Sequence, residues 1–363
     1  MKIIVTGGAG FIGSMFAAKA VERGDEVIVL DALTYAGHPE NLESIKNKSQ
    51  LVVGDICDAA LAYELLCGQG SDAIINFAAE SHVDNSISGP GIFIKTNVEG
   101  TYSLLEAARK YWNGLTGTKK NNFRFIQIST DEVYGSLGEA GKFNEETPMR
   151  PNSPYSASKA AGDHLARAWH ETYGLPTIIT NCSNNYGPRQ FPEKLIPKSI
   201  LDAISGRKIG IYGDGKNIRD WIHVEDHAEG VQLALVKGKP GETYCFGGNA
   251  ERNNSETANK ICEILDELRP LANGKSYKSQ ITFITDRPGH DRRYAIDDAK
   301  AVRELSFKRK YDFAGGLEAT VKWYLENQAW IDSVTDKSSL RANAMSEAIQ
   351  TPVRWIASPK GSQ

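Results

Sequence analysis

The 363-residue sequence predicts an α/β fold, with a doubly wound parallel sheet and a smaller mixed α/β lobe beside it. Short β-branched segments alternate with helical stretches through the first half of the chain. These segments are apolar without strict alternation, as expected for parallel strands that are covered on both faces. Alternating strands and helices imply right-handed crossover connections, which build a doubly wound sheet.

Six strands and three helices carry this prediction. The first helix follows the first strand and ends at about Arg23, where Gly24 supplies a C-terminal stop. Two further helices are predicted over Ile92–Tyr111 and Tyr155–Tyr173, from their length and apolar spacing. The predicted strands are Ile3–Thr6, Glu26–Leu30, Leu51–Val53, Ala73–Phe77, Phe123–Ile128 and Thr177–Thr180.

The pattern loosens after about Asn181, where glycine- and proline-rich stretches interrupt shorter elements. Domains typically hold about 100–200 residues, so the length fits two lobes. We predict a sheet domain over residues 1–183 that shares segments with the second lobe, and that lobe over 184–332. Residues 333–363 are predicted to form a C-terminal extension, either docked or mobile.

Composition excludes several classes of protein. The net charge of −3 argues against a nucleic-acid binder, because such domains usually carry a basic surplus. No apolar run approaches the roughly 20 residues of a membrane span, and Gly7 comes too early for a signal-peptide core. The five cysteines are odd in number and never spaced C-x-x-C, so neither a disulfide framework nor a zinc site is predicted. A reducing cytoplasm fits.

A glycine-rich turn follows the first strand and opens the first helix. The stretch Gly8-Ala9-Gly10-Phe11-Ile12-Gly13 satisfies G-x-G-x-x-G in the context that this motif requires. Glycines let the backbone approach a pyrophosphate, and the helix N-terminus offers free N–H groups and a positive dipole end. The alternative is a tight turn without a ligand. The motif therefore predicts a Rossmann-type dinucleotide site.

Two aspartates follow later strands of the predicted sheet. Asp31 ends the second strand, where a carboxylate accepts hydrogen bonds from an adenosine ribose and repels a 2′-phosphate. This position favours NAD over NADP. Asp55 follows the third strand and either contacts the adenine or caps a helix.

Tyr155 and Lys159 are four residues apart in Tyr-x-x-x-Lys and share one face of a predicted helix. A tyrosine pKa near 10 is too high for a base at neutral pH. A neighbouring ammonium and a cationic nicotinamide are expected to lower it and to favour the phenolate. The same spacing from Tyr212 to Lys216 lies in a glycine-rich stretch, where no helix aligns the pair.

Thr130, Asp131 and Glu132 come directly after a predicted strand. Ligands of open α/β sheets bind beyond the carboxyl ends of the strands, so these side chains should face the nicotinamide. Thr130 is expected to bond a substrate hydroxyl. Tyr155 already supplies a proton shuttle, and two further acids indicate an elimination, with crowded carboxyls separated in pKa. The alternative is an Asp cap beside a solvated Glu.

Several longer motifs indicate a family. The sequence resembles the dTDP-glucose 4,6-dehydratases, which belong to the extended short-chain dehydrogenases/reductases, from Met1 to roughly Trp330. The motifs that carry the resemblance are Ala78-Ala79-Glu80-Ser81-His82-Val83-Asp84, Ser129-Thr130-Asp131-Glu132-Val133-Tyr134-Gly135, Tyr155-Ser156-Ala157-Ser158-Lys159-Ala160, Asn184-Asn185-Tyr186-Gly187-Pro188, Phe191-Pro192-Glu193-Lys194-Leu195-Ile196-Pro197, Arg219-Asp220-Trp221 and Arg287-Pro288-Gly289-His290-Asp291.

The resemblance implies a three-step reaction on bound NAD. Tyr155 would take the proton of the sugar C4 hydroxyl while a hydride leaves C4. The C4 ketone acidifies the C5 proton, which Glu132 would remove while Asp131 protonates the departing C6 hydroxyl. The hydride then returns to C6 and C5 is reprotonated, which gives a 4-keto-6-deoxy sugar. Oxidation must come first, because a C5 proton beside an alcohol is far too weak an acid.

The site residues are therefore predicted in three groups. The catalytic residues are Thr130, Asp131, Glu132, Tyr155 and Lys159. The NAD-binding residues are Gly7, Gly10, Phe11, Ile12, Gly13, Asp31, Thr34, Asp55, Ile56, Ala78, Ala79, Ser81, Thr96, Tyr155, Lys159 and Asn185. The residues that bind the nucleotide sugar are Ser81, His82, Thr130, Asn184, Lys194, Leu195, Tyr212, Arg219, Asn254, Arg287, His290 and Tyr294.

Other substrates and functions share parts of this pattern, and the sequence departs from the family at two positions. UDP- or CDP-glucose is an alternative substrate, and a nucleotide-sugar 4-epimerase or an NAD-binding scaffold is an alternative function. Ala32 and Asn85 stand where the family usually has lysine and arginine. His223 and His227 lack a third ligand, so no metal is predicted. By resemblance, the helices predicted at 92–111 and 155–173 form a homodimer bundle.

Overall fold

The structure, a computed structural model, describes residues 1–336. Its strands are β1 (Lys2–Thr6), β2 (Glu26–Asp31), β3 (Ser49–Val53), β4 (Ala73–Asn76), β5 (Arg124–Thr130), β6 (Thr177–Cys182), β7 (Asn184–Tyr186), β8 (Ile209–Tyr212), β9 (Ile218–His223), β10 (Thr243–Phe246), β11 (Glu251–Asn253) and β12 (Ile281–Ile284). Its helices are α1 (Phe11–Glu22), α2 (Ala59–Gln69), α3 (Val83–Ser88), α4 (Gly91–Phe93), α5 (Thr101–Asn113), α6 (Gly117–Asn122), α7 (Pro154–Tyr173), α8 (Leu195–Ile204), α9 (Val224–Lys237), α10 (Asn254–Leu268), α11 (Ala299–Leu305), α12 (Phe313–Glu326) and α13 (Gln328–Asp336).

A seven-stranded parallel sheet forms the centre of the fold, in the order β10-β6-β5-β4-β1-β2-β3. The predicted doubly wound α/β fold is therefore confirmed. The chain passes from β1 outward to β2 and β3, and then returns to β4 on the other side of β1. This change of direction opens a crevice at the carboxyl ends of the strands, where such sheets bind their ligands.

Helices cover both faces of this sheet. Side chains alternate along β1, so that Ile3 and Val5 pack against α1 and α9 on one face, and Ile4 packs against α2 and α5 on the other. Phe16 of α1 and Leu105 of α5 are completely buried. Each such side chain contributes about 1.5–3 kcal/mol through burial. Packing on both faces explains why the strands are apolar without alternation.

The smaller lobe has a three-stranded sheet, in the order β11-β9-β7, and a two-stranded sheet of β8 and β12. Helices α8, α10 and α12 pack together over a second core that includes Ile200, Ile261 and Leu317. Between these elements the chain returns to the large sheet and adds β10 beside β6. The domain boundary at residue 183 stays a prediction, and residues 337–363 of the predicted extension lie outside the described residues.

The helix predicted over 92–111 is observed as α4, a π-helical segment (Ile94–Gly100) and α5. Asn97 within this segment bonds the backbone of Glu80, donating to the carbonyl at 3.0 Å and accepting from the N–H at 2.9 Å. A side chain at Gly100 would lie 2.6 Å from Ile56. The wider turn thus lets this helix approach the loop after β4, and π-turns are frequent at functional sites.

Within residues 1–336, no helix is long and apolar enough to cross a membrane.

Candidate functional site

The glycine-rich turn after β1 leaves no room for side chains. Gly7 has a φ of +65°, and a Cβ there would lie 2.5 Å from the amide nitrogen of Ala78. A Cβ on Gly13 would lie 2.3 Å from the carbonyl oxygen of Gly7. Helix α1 begins after Gly10 without a side-chain cap, so its first N–H groups are available to an anion. This cradle fits the pyrophosphate of a dinucleotide.

Asp31 at the end of β2 holds the turn in place. Its two carboxylate oxygens accept the N–H groups of Ala9 at 2.9 Å and of Leu33 at 2.8 Å. These bonds fix the orientation of the Asp31 carboxylate at the carboxyl end of β2. Thr34 lies three residues further on, in the same loop.

Gly13→Ala is expected to abolish retention of the dinucleotide and to lower the melting temperature, because the new Cβ overlaps the Gly7 carbonyl. Gly68→Ala is the matched control: it lies in α2 with open space around its Cβ position, and alanine there favours the helix by about 0.5–1 kcal/mol. Thermal unfolding and the NAD content of the purified proteins measure both effects. A Gly13→Ala protein with full NAD content would refute the cradle.

Asp55 follows β3, the strand that pairs with β2. It is exposed, and its carboxylate accepts the N–H of Cys57 at 2.9 Å. Asp58, not Asp55, caps α2 by accepting the N–H of Leu61. The helix-cap alternative for Asp55 is therefore wrong, and the adenine contact stays a prediction.

Helix α7 brings Tyr155 and Lys159 to the end of β5. A capping box between Ser153 and Ser156, with Pro154 at the first helical position, fixes where α7 begins. The Lys159 ammonium donates to the carbonyl of Ile128 at 2.6 Å. Tyr155 is 9% exposed, with its hydroxyl beside Thr130.

The protein groups alone do not favour the phenolate of Tyr155, and the predicted lowering by an ammonium together with a nicotinamide cation stays a prediction. Burial, followed by the neighbouring Glu132 carboxylate, raises the pKa of Tyr155 well above its usual value. The Lys159 ammonium does not offset this rise, since it is bonded to a backbone carbonyl and two acids lie near the phenol. Only a further positive charge at this position, such as a nicotinamide cation, would favour the phenolate.

Thr130, Asp131 and Glu132 sit where β5 passes into a short 3₁₀ turn (Asp131–Tyr134). Thr130 caps this turn by accepting the N–H of Glu132 at 3.3 Å, and its hydroxyl donates to Asp131. Asp131 is 1% exposed, and its Oδ2 atom has no hydrogen-bond partner within the described chain. The cap is therefore Thr130, so the alternative in which Asp131 serves only as a cap does not hold.

Burial raises the pKa values of both acids, but their charged surroundings differ. The pKa of Asp131 is raised well above its usual range by burial, with added repulsion from Glu132 and Asp220. Burial also raises the pKa of Glu132, while Arg287, Arg219 and Lys194 oppose that rise. Asp131 is thus the acid that keeps a proton most readily, and Glu132 is the acid surrounded by cations.

The cations that face Glu132 come from the smaller lobe, and hydrogen bonds to backbone carbonyls hold Arg219 and Lys194. Arg219 donates to the carbonyl of Asp291 at 3.0 Å and lies 4.3 Å from the centre of the Tyr294 ring. Lys194 donates to the carbonyl of Ser81 at 2.8 Å, which brings two predicted substrate residues together. A guanidinium clamps diphosphate oxygens bidentately, so this side of the crevice suits a nucleoside diphosphate.

Four buried polar atoms of the predicted site have no partner in residues 1–336. They are Asp131 Oδ2, Asn184 Oδ1, Asn254 Oδ1 and Arg287 Nε. Buried polar groups are normally hydrogen-bonded, so these atoms are available to a polar ligand in the crevice.

The remaining predicted residues lie around this crevice in different settings. Ala78 and Ala79 follow β4, Ile56 is buried beneath Gly100, Thr96 lies in the π-helical segment, and Leu195 begins α8.

The histidines near the crevice have partners within the chain. His82 caps α3 and lies 3.7 Å from Glu193, and His290 pairs with Asp286 at 2.6 Å. His227 bonds Asn185 at 3.0 Å; among the described residues no group of three or more His, Cys, Asp or Glu could hold a metal.

Asp163 is a buried residue that the sequence analysis missed. It lies one turn after Lys159 on α7, and its carboxylate accepts the hydroxyl of Ser129 at 2.6 Å. Burial raises its pKa to about 6, against the attraction of Lys159. Asp163 therefore joins α7 to the end of β5. The i, i+4 spacing from Lys159 was the available signal.

The sheet, the glycine cradle and the Tyr155–Lys159 pair define the class: an extended short-chain dehydrogenase/reductase. The family model described as GDP-mannose 4,6 dehydratase matches residues 4–320. The chain is 57% identical over 337 residues to a dTDP-glucose 4,6-dehydratase of Xanthomonas campestris pv. campestris (strain B100), covering 92% of this chain and 96% of that protein. It belongs to this family of nucleotide-sugar 4,6-dehydratases, as the motifs predicted.

Solved structures support the same assignment. The dTDP-glucose 4,6-dehydratase from Streptomyces venezuelae, with NAD and TYD bound, is 44% identical with a TM-score of 0.83, over 92% of this chain and all of that one (100%). A UDP-glucose 4-epimerase from Thermotoga maritima with UDP-glucose has a TM-score of 0.80 at 28% identity, over 90% of this chain and 100% of that one. The fold is therefore shared with epimerases, and the site must distinguish the two reactions.

Proposed function

We propose that the protein converts dTDP-glucose to dTDP-4-keto-6-deoxyglucose by oxidation at C4, elimination of water across C5 and C6, and return of the hydride to C6. The observation that carries this proposal is the pair of acids beside Tyr155, the buried Asp131 and the half-buried Glu132. An epimerase needs one proton shuttle at the C4 hydroxyl, which Tyr155 supplies. Two further acids serve an elimination.

The cofactor is NAD, and the residues that would hold it fit the molecule. The glycine cradle accepts the pyrophosphate, and Asp31 lies where the adenosine ribose belongs. Bound NAD supplies the hydride acceptor that oxidation at C4 requires. Lys159 reaches the same edge of the sheet from α7.

Three side chains carry out the proton transfers, and the surroundings of each side chain determine which transfer it makes. Tyr155 takes the proton of the C4 hydroxyl, which Thr130 orients. Glu132 is the base for the C5 proton, because the neighbouring Arg287, Arg219 and Lys194 favour its ionised form. Asp131 is the acid for the C6 oxygen, because burial and the repulsion from Glu132 and Asp220 outweigh the attraction of Arg219 and favour its protonated form.

Turnover of dTDP-glucose tests this function directly. We expect formation of a 4-keto product that gives an alkali-induced chromophore, with loss of the C6 oxygen. Interconversion of gluco and galacto configurations without loss of water would instead identify a 4-epimerase. Binding of NAD without turnover of dTDP-, UDP- or CDP-glucose would identify a scaffold.

The base of the nucleotide is tested by comparing dTDP, UDP and CDP. The relatives named above support dTDP, so dTDP should bind most tightly and dTDP-glucose should have the highest kcat/KM. Equal or tighter binding of UDP or CDP would reassign the substrate while leaving the dehydration chemistry in place.

We also propose that the protein is a homodimer and that it is located in the cytoplasm. Exposed apolar side chains on the helices predicted to form a bundle, Ile94, Tyr102 and Tyr173, support a homodimer through α5 and α7. Sedimentation of the purified chain as a monomer would contradict it. We place the protein in the cytoplasm, where its five free thiols suit a reducing environment.

A further inference from the structure

Asp84 bridges the two sides of the crevice. It lies in the first turn of α3, on the side of the glycine cradle, and its carboxylate accepts two hydrogen bonds from the smaller lobe. The Tyr212 hydroxyl donates to Oδ2 at 2.9 Å, and Arg287 donates to Oδ1 at 3.0 Å. Burial acts to raise the pKa of Asp84, but these two bonds outweigh it and lower the pKa. Asp84 therefore stays ionised.

The two partners of Asp84 form a single unit. The Arg287 guanidinium lies 5.9 Å from the centre of the Tyr212 ring, and the His290 ring meets the same tyrosine edge-on at 6.0 Å. Arg287 is in the loop after β12, and Tyr212 ends β8. Without Asp84, nothing in these contacts would fasten the guanidinium to the opposite side of the crevice.

Arg287 is also the cation with the largest effect on Glu132. Three cations favour the ionised form of Glu132, and the effect of Arg287 on its pKa is larger than that of Arg219 or Lys194. Arg219 and Lys194 are each fastened to a backbone carbonyl, whereas the side-chain hydrogen bond that fixes Arg287 is the one to Asp84. The position of Arg287 beside the base thus depends on Asp84.

We propose that Asp84 is a positioning residue for the elimination step, which holds Arg287 and Tyr212 across the crevice and so fixes the guanidinium beside Glu132. This proposal rests on the proposed function of the site. It gives Asp84 no contact with the reacting atoms: the carboxylate acts through Arg287. Loss of the bridge would leave oxidation at C4 intact and slow the removal of the C5 proton.

The other groups around Glu132 do not replace the effect of Arg287 on the pKa of this carboxyl. The opposing carboxylates are Asp131, from the same turn, and Asp291, from the loop that carries Arg287. The phenols of Tyr155, from α7, and of Tyr294 also face Glu132. With Arg287 displaced, Arg219 and Lys194 remain as the cations, so the pKa of Glu132 should rise.

Asp84→Asn tests the proposal, with Asp214→Asn as the matched control. Asp214 also pairs with an arginine, Arg292, at 2.9 Å, but both residues lie in the smaller lobe and are exposed. The measurements are kcat and KM for dTDP-glucose, enzyme-bound NADH during turnover, and the pH profile of kcat. For Asp84→Asn we expect kcat to fall about tenfold, since one pKa unit changes the ionised fraction of a base about tenfold below its pKa.

Three results together would support the proposal: lower kcat, more enzyme-bound NADH in the steady state, and an acid limb moved to higher pH, none of them in Asp214→Asn. An increase in KM with unchanged kcat and pH profile would overturn it, because Asp84 would then affect binding alone. Equal behaviour of the two variants would overturn it as well.

Tyr212→Phe is a milder second variant if Asp84→Asn does not fold. It removes one of the two bonds to Asp84 and keeps the ion pair, so the same changes should follow at smaller size, and an unchanged NADH signal would count against the proposal. Turnover by the wild-type protein distinguishes a failure of the proposed function from a failure of the role of Asp84. If it forms no 4-keto product, the proposed function fails; if it does and the variants match it, only the role of Asp84 fails.

Discussion

Tyr155→Phe is expected to lose oxidation at C4 almost completely, with kcat lower by roughly 10²–10⁴-fold, the usual contribution of a positioned acid–base group. The phenol is the group in the crevice that can take the C4 hydroxyl proton, and phenylalanine keeps its buried ring contact with Phe93. Removing the hydroxyl therefore removes the chemistry and leaves the packing. Single-turnover measurement of NADH formation reports this first step alone.

Tyr277→Phe is the control for this prediction. Tyr277 is also buried, and its hydroxyl donates to the Arg269 carbonyl within the smaller lobe. That variant should form NADH and product at the wild-type rate. If Tyr155→Phe also formed NADH at the wild-type rate, Tyr155 would be removed from the mechanism.

The pH dependence of the first step follows from the environment of Tyr155. Its pKa is raised by burial and by Glu132, so the phenolate is scarce at neutral pH without a further cation. Bound NAD supplies that cation, and the first step should speed up as pH rises through the pKa that the phenol then has, since rising pH removes the phenol proton.

The sequence was most informative where structure is local. The turn from Gly7 to Gly13 follows one strand and opens one helix, and its geometry depends on the glycines themselves. Thr130, Asp131 and Glu132 come directly at the end of a predicted strand. Because all strands of a parallel sheet end at the same edge, the sequence predicted that these residues lie at the carboxyl edge.

Long-range contacts were the part that the sequence could not supply. Asp84 and Arg287 are 203 residues apart, and no spacing rule connects them. The raised pKa of Tyr155 depends on burial by several elements, whereas the motif shows only Lys159 one turn away. Strand β10, with the sequence Thr-Tyr-Cys-Phe, has a single β-branched residue, and its pairing with β6 makes it a strand.

Glu132→Gln is expected to separate oxidation from elimination. Glutamine keeps the shape of the side chain but cannot take the C5 proton, so elimination should fall by about 10²–10⁴-fold. Oxidation at C4 depends on Tyr155 and should continue. The protein should therefore accumulate bound NADH on addition of dTDP-glucose, as seen in its near-ultraviolet absorbance, and release little 4-keto-6-deoxy product.

The exposed Glu139 provides the control, since Glu139→Gln removes a carboxylate from the same connecting segment outside the crevice. Wild type and this control should lose elimination as pH falls through the pKa of Glu132, which burial places above the usual glutamate range, because the protonated acid is no base. The residual rate of Glu132→Gln should lack that acid limb. Failure of Glu132→Gln to form NADH would move Glu132 from the elimination to the hydride transfer, and the lyase assignment would then rest on Asp131 alone.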